Sequence, residues 1–183
     1  MSNTNLNHLV LAIESSCDET SLCLLAVPDF INQSHKENDD LGLVRNTKIL
    51  ASIISSQIQT HQKYGGVVPE IGARLHAEQI HFIWQEMLEN VDQNQFESIF
   101  SHKQEWQTGK LDLQSQVLIL LEKIMVTTNP GLISALRVGQ EFAKSIQFFS
   151  ITERIKYNIN TKPEIMEINH LRGHMASSFY LYQ

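Results

Sequence analysis

Three features of the sequence predict an α/β fold: a mixed five-stranded sheet with flanking helices. Two apolar stretches near the N-terminus, residues 8–14 (HLVLAIE) and 20–27 (TSLCLLAV), are separated by a short polar turn, the pattern of a β-hairpin. Apolar residues then recur at helical spacing after Pro69 and again after Gly131. Further short apolar stretches lie between and after those two helical patterns. Strands that alternate with crossover helices imply a mixed sheet with helices packed on it.

Each element follows from its residues. The hairpin turn is residues 15–19, and residues 30–40 (FINQSHKENDD) form a polar loop. Residues 43–56 give a third strand region, in which Ile49, Ala51, Ile53 and Ser55 partly alternate. Gly65-Gly66 marks a break, and Pro69 suits the first turn of a helix because its missing N–H is not needed there. Ile71, Leu75, Ile80, Ile83, Met87 and Val91 then recur at spacings of three to five, which predicts an amphipathic helix of some twenty residues. Residues 92–113 are polar and low in pattern and are expected to be a surface insertion, as are residues 30–40. Residues 117–126 include a compact strand, and the apolar run at 117–121 reads as part of it. Asn129-Pro130-Gly131 is a turn. Leu132, Leu136, Ala143, Ile146 and Phe149 line one face of a second helix. Residues 156–163 are a loop, residues 165–168 a short strand, and residues 170–182 a third helix.

The bulk numbers set bounds. At 183 residues the chain can bury one sizeable core, and 42% hydrophobic with 19% charged residues is ordinary for a globular domain. The longest apolar runs are far shorter than a membrane span, and residues 1–8 carry no basic-then-apolar signal pattern. A cytoplasmic protein without a membrane partner is expected. Cys17 and Cys23 are not a CxxC pair, and two free thiols suit a reducing compartment. The net charge of −6 argues against a globally basic nucleic-acid binder. The charge is uneven: residues 1–130 hold 8 Lys/Arg against 16 Asp/Glu, whereas residues 131–183 hold 6 against 4, which leaves room for a local basic surface in the C-terminal part.

Four constellations could carry chemistry, and each also has an ordinary structural explanation. In Glu14-Ser15-Ser16-Cys17-Asp18-Glu19-Thr20-Ser21, a tight turn exposes backbone N–H groups and short hydroxyls that can cradle a phosphate, while Asp18 could hold a metal or order water. Ser, Asp and Thr populate plain hairpin turns as well. His170 and His174 share one helix face at i and i+4, so two imidazoles can ligate one metal, though a third ligand must come from elsewhere. Metalloprotease chemistry would need Glu next to the first His, and Leu171 stands there instead. In residues 64–70 (YGGVVPE), with Arg74 and His76 following, two glycines permit unusual backbone angles ahead of a helix whose N-terminus can receive an anion. Residues 127–132 (TTNPGL) would sit at a strand end, where α/β proteins bind ligands, or would be a simple Asn-Pro-Gly turn.

Taken in order, these segments resemble one family. Residues 11–21 (LAIESSCDETS) are similar to the opening hairpin of the TsaD family, the tRNA N6-adenosine threonylcarbamoyltransferases. Residues 55–80 resemble its second signature, including Gln57, His61, Tyr64, Gly65, Gly66, Pro69, Glu70, Arg74 and His76. Residues 128–146 resemble the third, and residues 168–176 (INHLRGHMA) the fourth, a metal-binding helix. The resemblance implies the N-terminal lobe of an actin/Hsp70-like (ASKHA), ribonuclease H-like fold. It implies transfer of a threonylcarbamoyl group from its adenylate to the exocyclic amine of the adenosine beside the anticodon in tRNAs reading ANN codons.

By motif match, His170 and His174 would be metal ligands for one divalent ion, iron or zinc. Asp18 and Glu19 would give catalytic support. Ser16, Asn129, Pro130 and Gly131 would line the substrate cleft. The implied partners are tRNA, threonylcarbamoyl-AMP and TsaB-like and TsaE-like proteins.

Three departures from the pattern stand out. Asn129 replaces the first glycine of the usual GPG, Arg172 stands where bacterial members often have Glu, and the family continues into a second lobe that holds a further metal ligand. Without that lobe the chain is expected to be inactive and to bind metal weakly. Two other identities share parts of the pattern: a non-catalytic TsaB-like partner subunit, and a sugar-kinase relative with the same phosphate hairpin. The paired histidines argue against both.

Overall fold

A computed structural model of the chain describes residues 7–28, 46–101, 103 and 111–181, with no account of the side chains of 176–181. The described elements run in the order β1 (Asn7–Glu14), β2 (Glu19–Pro28), β3 (Lys48–Ser56), α1 (Ile58–Gln62), α2 (Pro69–Glu89), α3 (Gln93–Phe100), α4 (Leu113–Leu120), β4 (Leu121–Asn129), α5 (Ile133–Lys156), β5 (Glu164–Asn169) and α6 (His170–Leu181). The five strands form one sheet in the order β3-β2-β1-β4-β5. The β1–β2 and β2–β3 pairs are antiparallel, and the β1–β4 and β4–β5 pairs are parallel. This is the mixed five-stranded α/β sheet that the sequence predicts. It turns the C-terminal ends of β1, β4 and β5 to the same edge, where open α/β sheets bind ligands.

Alternation along the strands builds the core. Leu9, Leu11 and Ile13 of β1, Leu22, Leu24 and Ala26 of β2, and Ile124 and Val126 of β4 are all buried. Against them pack Ile80, Ile83, Trp84 and Met87 of α2 and Ala143 and Ile146 of α5. Pro69 begins α2, and Gly65 ahead of it takes φ +73°, a left-handed conformation that glycine adopts without strain. Among the described residues no helix is long and apolar enough to cross a membrane.

The structure differs from the sequence reading in four places. Residues 117–120 end helix α4, and strand β4 begins only at Leu121. A continuous apolar run fits a buried helix turn as well as a strand, and Asp112 decides the matter by capping the helix through the Ser115 N–H at 2.7 Å. Ile49 is exposed while Leu50 is buried, because β3 shifts register between its pairings with Leu24 and Leu25. Phe149 points to solvent, and the core-facing positions near the end of α5 are Ser150 and Arg154. Ser150 Oγ donates to the Leu118 carbonyl at 2.6 Å, and Arg154 donates to the Leu121 carbonyl at 2.5 Å and to Thr161 Oγ1 at 2.7 Å. Finally, the stretch 92–113 is not patternless. Asp92 caps α3 through the Gln95 N–H, and Phe96, Ile99 and Phe100 of that helix are buried in the core. The signal was the i, i+3, i+4 spacing of those three residues. Residues 102 and 104–110 of that stretch, and the predicted loop 30–40, lie outside the described residues.

At the sheet edge opposite the strand C-termini, Glu122 bonds Lys103 Nζ at 2.5 Å and the His8 ring. Burial alone would raise the Glu122 carboxyl, but the hydrogen bonds and charges of Lys103 and His8 outweigh it and hold it below the ordinary value of 4.5. A carboxyl so depressed stabilises the fold at every pH above its unfolded value, and that contribution is lost as the pH falls through the folded value. Stability should therefore decline on acidification below about 4.5, and Glu122→Gln should flatten that part of the profile; equal acid slopes in urea titrations of both proteins would contradict it. Phe96→Ala should cost about 3–5 kcal/mol of unfolding free energy, as expected for an emptied aromatic site in a packed core; a loss under about 1 kcal/mol would return residues 93–100 to the surface.

Candidate active site

Glu14 ends β1, Thr127 and Asn129 end β4, and Asn169 ends β5, so all four stand at the ligand-binding edge of the sheet. Glu14 is the hub. Its Oε1 accepts the Ser16 N–H and its Oε2 accepts the Thr127 hydroxyl, each at 2.5 Å. Burial works to raise this carboxyl, but the Ser16 and Thr127 hydrogen bonds and the His170 ring outweigh it and hold it below the usual carboxylate range.

The two histidines arrive from the other side of the same edge. Asn169 starts α6 by accepting the Arg172 N–H at 3.1 Å on Oδ1, and its amide donates to Asn129 Oδ1 at 2.9 Å. The β4 and β5 ends are thus tied together at the first turn of the helix. His170 Nδ1 lies 2.7 Å from Ser16 Oγ and 3.3 Å from Glu14 Oε2. A carboxylate only accepts, so a proton on Nδ1 satisfies both contacts and leaves the Nε2 lone pair facing outward. His174 Nε2 lies 2.6 Å from His170 Nε2. Two nitrogens bound to one metal at about 2.0–2.1 Å stand somewhat farther apart than that, so a small parting of the rings would admit an ion between them. Outward Nε2 atoms with a carboxylate behind Nδ1 are the donor chemistry of a histidine metal site. Among the described residues no group of three His, Cys, Asp or Glu side chains could complete one.

The Asn129–Leu132 loop closes onto the turn. The Asn129–Pro130 peptide is cis, and the Leu132 N–H donates to the Ser16 carbonyl at 2.8 Å. A Cβ on residue 131 would stand 2.7 Å from that carbonyl oxygen, so only glycine allows this approach. Ser15 beneath it is equally crowded: its hydroxyl donates to the Ala135 carbonyl at 2.9 Å, and a Cβ on Gly139 would meet Ser15 Oγ at 2.5 Å. Beside the loop an open groove of about 550 Å³ is lined by Pro69, Gly131, Leu132, Ile133, Ser134 and Arg137.

Of the residues the sequence singled out, Ser16, Asn129, Pro130, Gly131, His170 and His174 thus come together at one edge. Asp18 and Glu19 follow Ser16 and Cys17 in the same turn, where it enters β2. Glu14, Thr127 and Asn169 fall inside segments the sequence singles out but carry no individual role there; each is a polar residue at the C-terminal end of a strand, which is the signal that marks them. Gly131→Ala should break the Leu132–Ser16 contact and lower stability by about 1–3 kcal/mol through overpacking; an unchanged urea midpoint would show that the loop can retreat at no cost.

Comparison with known proteins points to one family by sequence. The family model for tRNA N6-adenosine threonylcarbamoyltransferase, TsaD, matches residues 48–99. A protein of that name from Clostridium botulinum is 33% identical over 174 residues, covering 95% of this chain and 36% of its own length. Those from Fervidobacterium nodosum and Thermosipho melanesiensis are 31% and 33% identical over 95% of this chain, covering 36% and 37% of their own lengths. The chain therefore spans a little over one third of the length of the relatives it matches, and over that span it is similar to proteins of the TsaD family.

Proposed function

We propose that this chain forms one wall of an active site that transfers a threonylcarbamoyl group from threonylcarbamoyl-AMP to the N6 amine of the adenosine adjacent to the anticodon in ANN-decoding tRNAs. The observation that carries the reading is the convergence of the Ser16 turn, the Asn129–Leu132 loop and the His170–His174 pair at the C-terminal edge of the parallel strands. The chemistry asks the protein to hold an anionic adenylate, to place its carbonyl carbon against an amine, and to stabilise the charge that develops.

His170 and His174 are the residues that would hold one divalent ion, iron or zinc, and the ion would supply positive charge toward the donor's phosphate or carboxylate. Glu14 fixes the His170 ring from behind and keeps its proton on Nδ1. Arg137, in the groove beside the loop, offers a cation to the adenylate phosphate. Asp18 and Glu19, at the mouth of the turn, are assigned catalytic support near the incoming amine.

TsaB-like and TsaE-like proteins are the proposed protein partners, and the cytoplasm the proposed compartment. In support of a protein partner, α2 and α5 pack on each other and present Phe82, Ile133, Phe148 and Phe149 to solvent, each more than half exposed. The paired histidines disfavour the reading of a non-catalytic TsaB-like subunit.

Replacing both His170 and His174 by Ala should abolish bound iron or zinc, measured by elemental analysis, together with transfer activity of the complete enzyme; wild-type transfer in that variant would remove the metal assignment. Glu14→Gln, which leaves both ligands in place, should weaken metal binding by about 10–100-fold in a chelator competition.

A further inference from the structure

The floor beneath the β1–β2 turn contains two buried imidazoles that the site described above does not use. His76, on α2, is fully buried, and His61, on α1, is 3% exposed. A buried polar ring must be paired, and here the partners settle where each proton sits. His76 Nε2 lies 3.1 Å from the Cys17 carbonyl, which can only accept, so Nε2 carries the hydrogen. His76 Nδ1 is then a lone pair, and the Thr20 hydroxyl donates to it at 2.6 Å. Burial, the largest influence on this ring, favours the same neutral form. His61 follows the same logic: the Val68 N–H donates to Nδ1 at 3.4 Å, so Nε2–H donates to Gln57 Oε1 at 3.2 Å.

The consequence is a turn held from three sides. The Ser16 carbonyl takes the Leu132 N–H ahead of α5, the Cys17 carbonyl takes His76 on α2, and the Asp18 carbonyl takes the Gln57 N–H ahead of α1 at 2.8 Å. Three successive main-chain oxygens are drawn into the protein by three different segments. Of the three holders His76 is the one side chain, so it is the one whose contribution a substitution can remove.

We propose that His76, in its Nε2–H form, is a positioning residue for this turn: by holding the Cys17 carbonyl it sets where Asp18 and Glu19 stand at the mouth of the site, and Thr20 fixes its tautomer. The inference rests on reading the turn as a wall of the active site, but its test reads geometry and not turnover, so the two can fail separately.

The test is nitrogen-15 NMR of this chain. A long-range proton–nitrogen spectrum should show His76 as the neutral Nε2–H tautomer. His76→Phe keeps a ring but no donor, and should shift the backbone resonances of Cys17, Asp18 and Glu19 and raise their picosecond–nanosecond mobility. His76→Gln, whose amide can still donate to the Cys17 carbonyl, should restore both toward wild type, which a purely space-filling role would not explain. Should the Phe variant not fold, Thr20→Val gives the same information: loss of the hydroxyl should move the His76 Nδ1 resonance toward the value of an unbonded ring nitrogen. An Nδ1–H tautomer, turn resonances unmoved in His76→Phe, or an Nδ1 resonance unmoved in Thr20→Val would overturn the proposal.

Discussion

The approach of the Asn129–Leu132 loop to the Ser16 carbonyl is the constraint on which the rest of this edge depends. The 2.8 Å contact from the Leu132 N–H can form only because residue 131 has no Cβ, and the neighbouring Ser15 can seat only because residue 139 has none. These two glycines bring the N-terminal half of α5 down onto the end of β1. Once that is done, Glu14 lies within reach of Thr127 on β4 and of His170 on α6. A loosened loop would uncouple the strand that carries the carboxylate from the strand and helix that carry the histidines. Precision at this edge thus comes from a main-chain contact between a short loop and a tight turn, each anchored on the ends of regular elements.

Electrostatics then follow from burial. Glu14 is half-buried yet kept ionised by two short hydrogen bonds, and an ionised carboxylate behind an imidazole favours the tautomer that presents Nε2 to the cleft. The same principle acts with opposite chemistry one layer down, where burial favours the neutral form of His76 and the Cys17 carbonyl holds its proton on Nε2. A charged surface and a neutral, hydrogen-bonded floor are thereby separated by the thickness of a single turn.

Much of this was legible in the sequence, and the reasons for the rest are specific. The hairpin, the helix after Pro69 and the succession of strands and helices along the chain followed from alternation and spacing, because those patterns report burial directly. The run at 117–121 was ambiguous because a wholly apolar segment carries no period, and only the Asp112 cap distinguishes helix from strand. Helix α3 was hidden by its polar neighbours, although Phe96, Ile99 and Phe100 carry the helical spacing. In the site, residues that belong to a recognisable motif, such as His170 and His174, could be named from sequence. Glu14 and Asn169 could not, because their importance lies in contacts across 156 and 40 residues of chain.

The central claim is that the His170–His174 pair, backed by Glu14 and Ser16, is a metal site at the wall of a transferase cleft. The most direct measurement is anomalous diffraction from crystals of the protein grown with iron or zinc. The account predicts a single anomalous peak at about 2.0–2.2 Å from Nε2 of both rings, with His170 Nδ1 still on Ser16 and Glu14. A peak elsewhere, or one that engages neither ring, would contradict it.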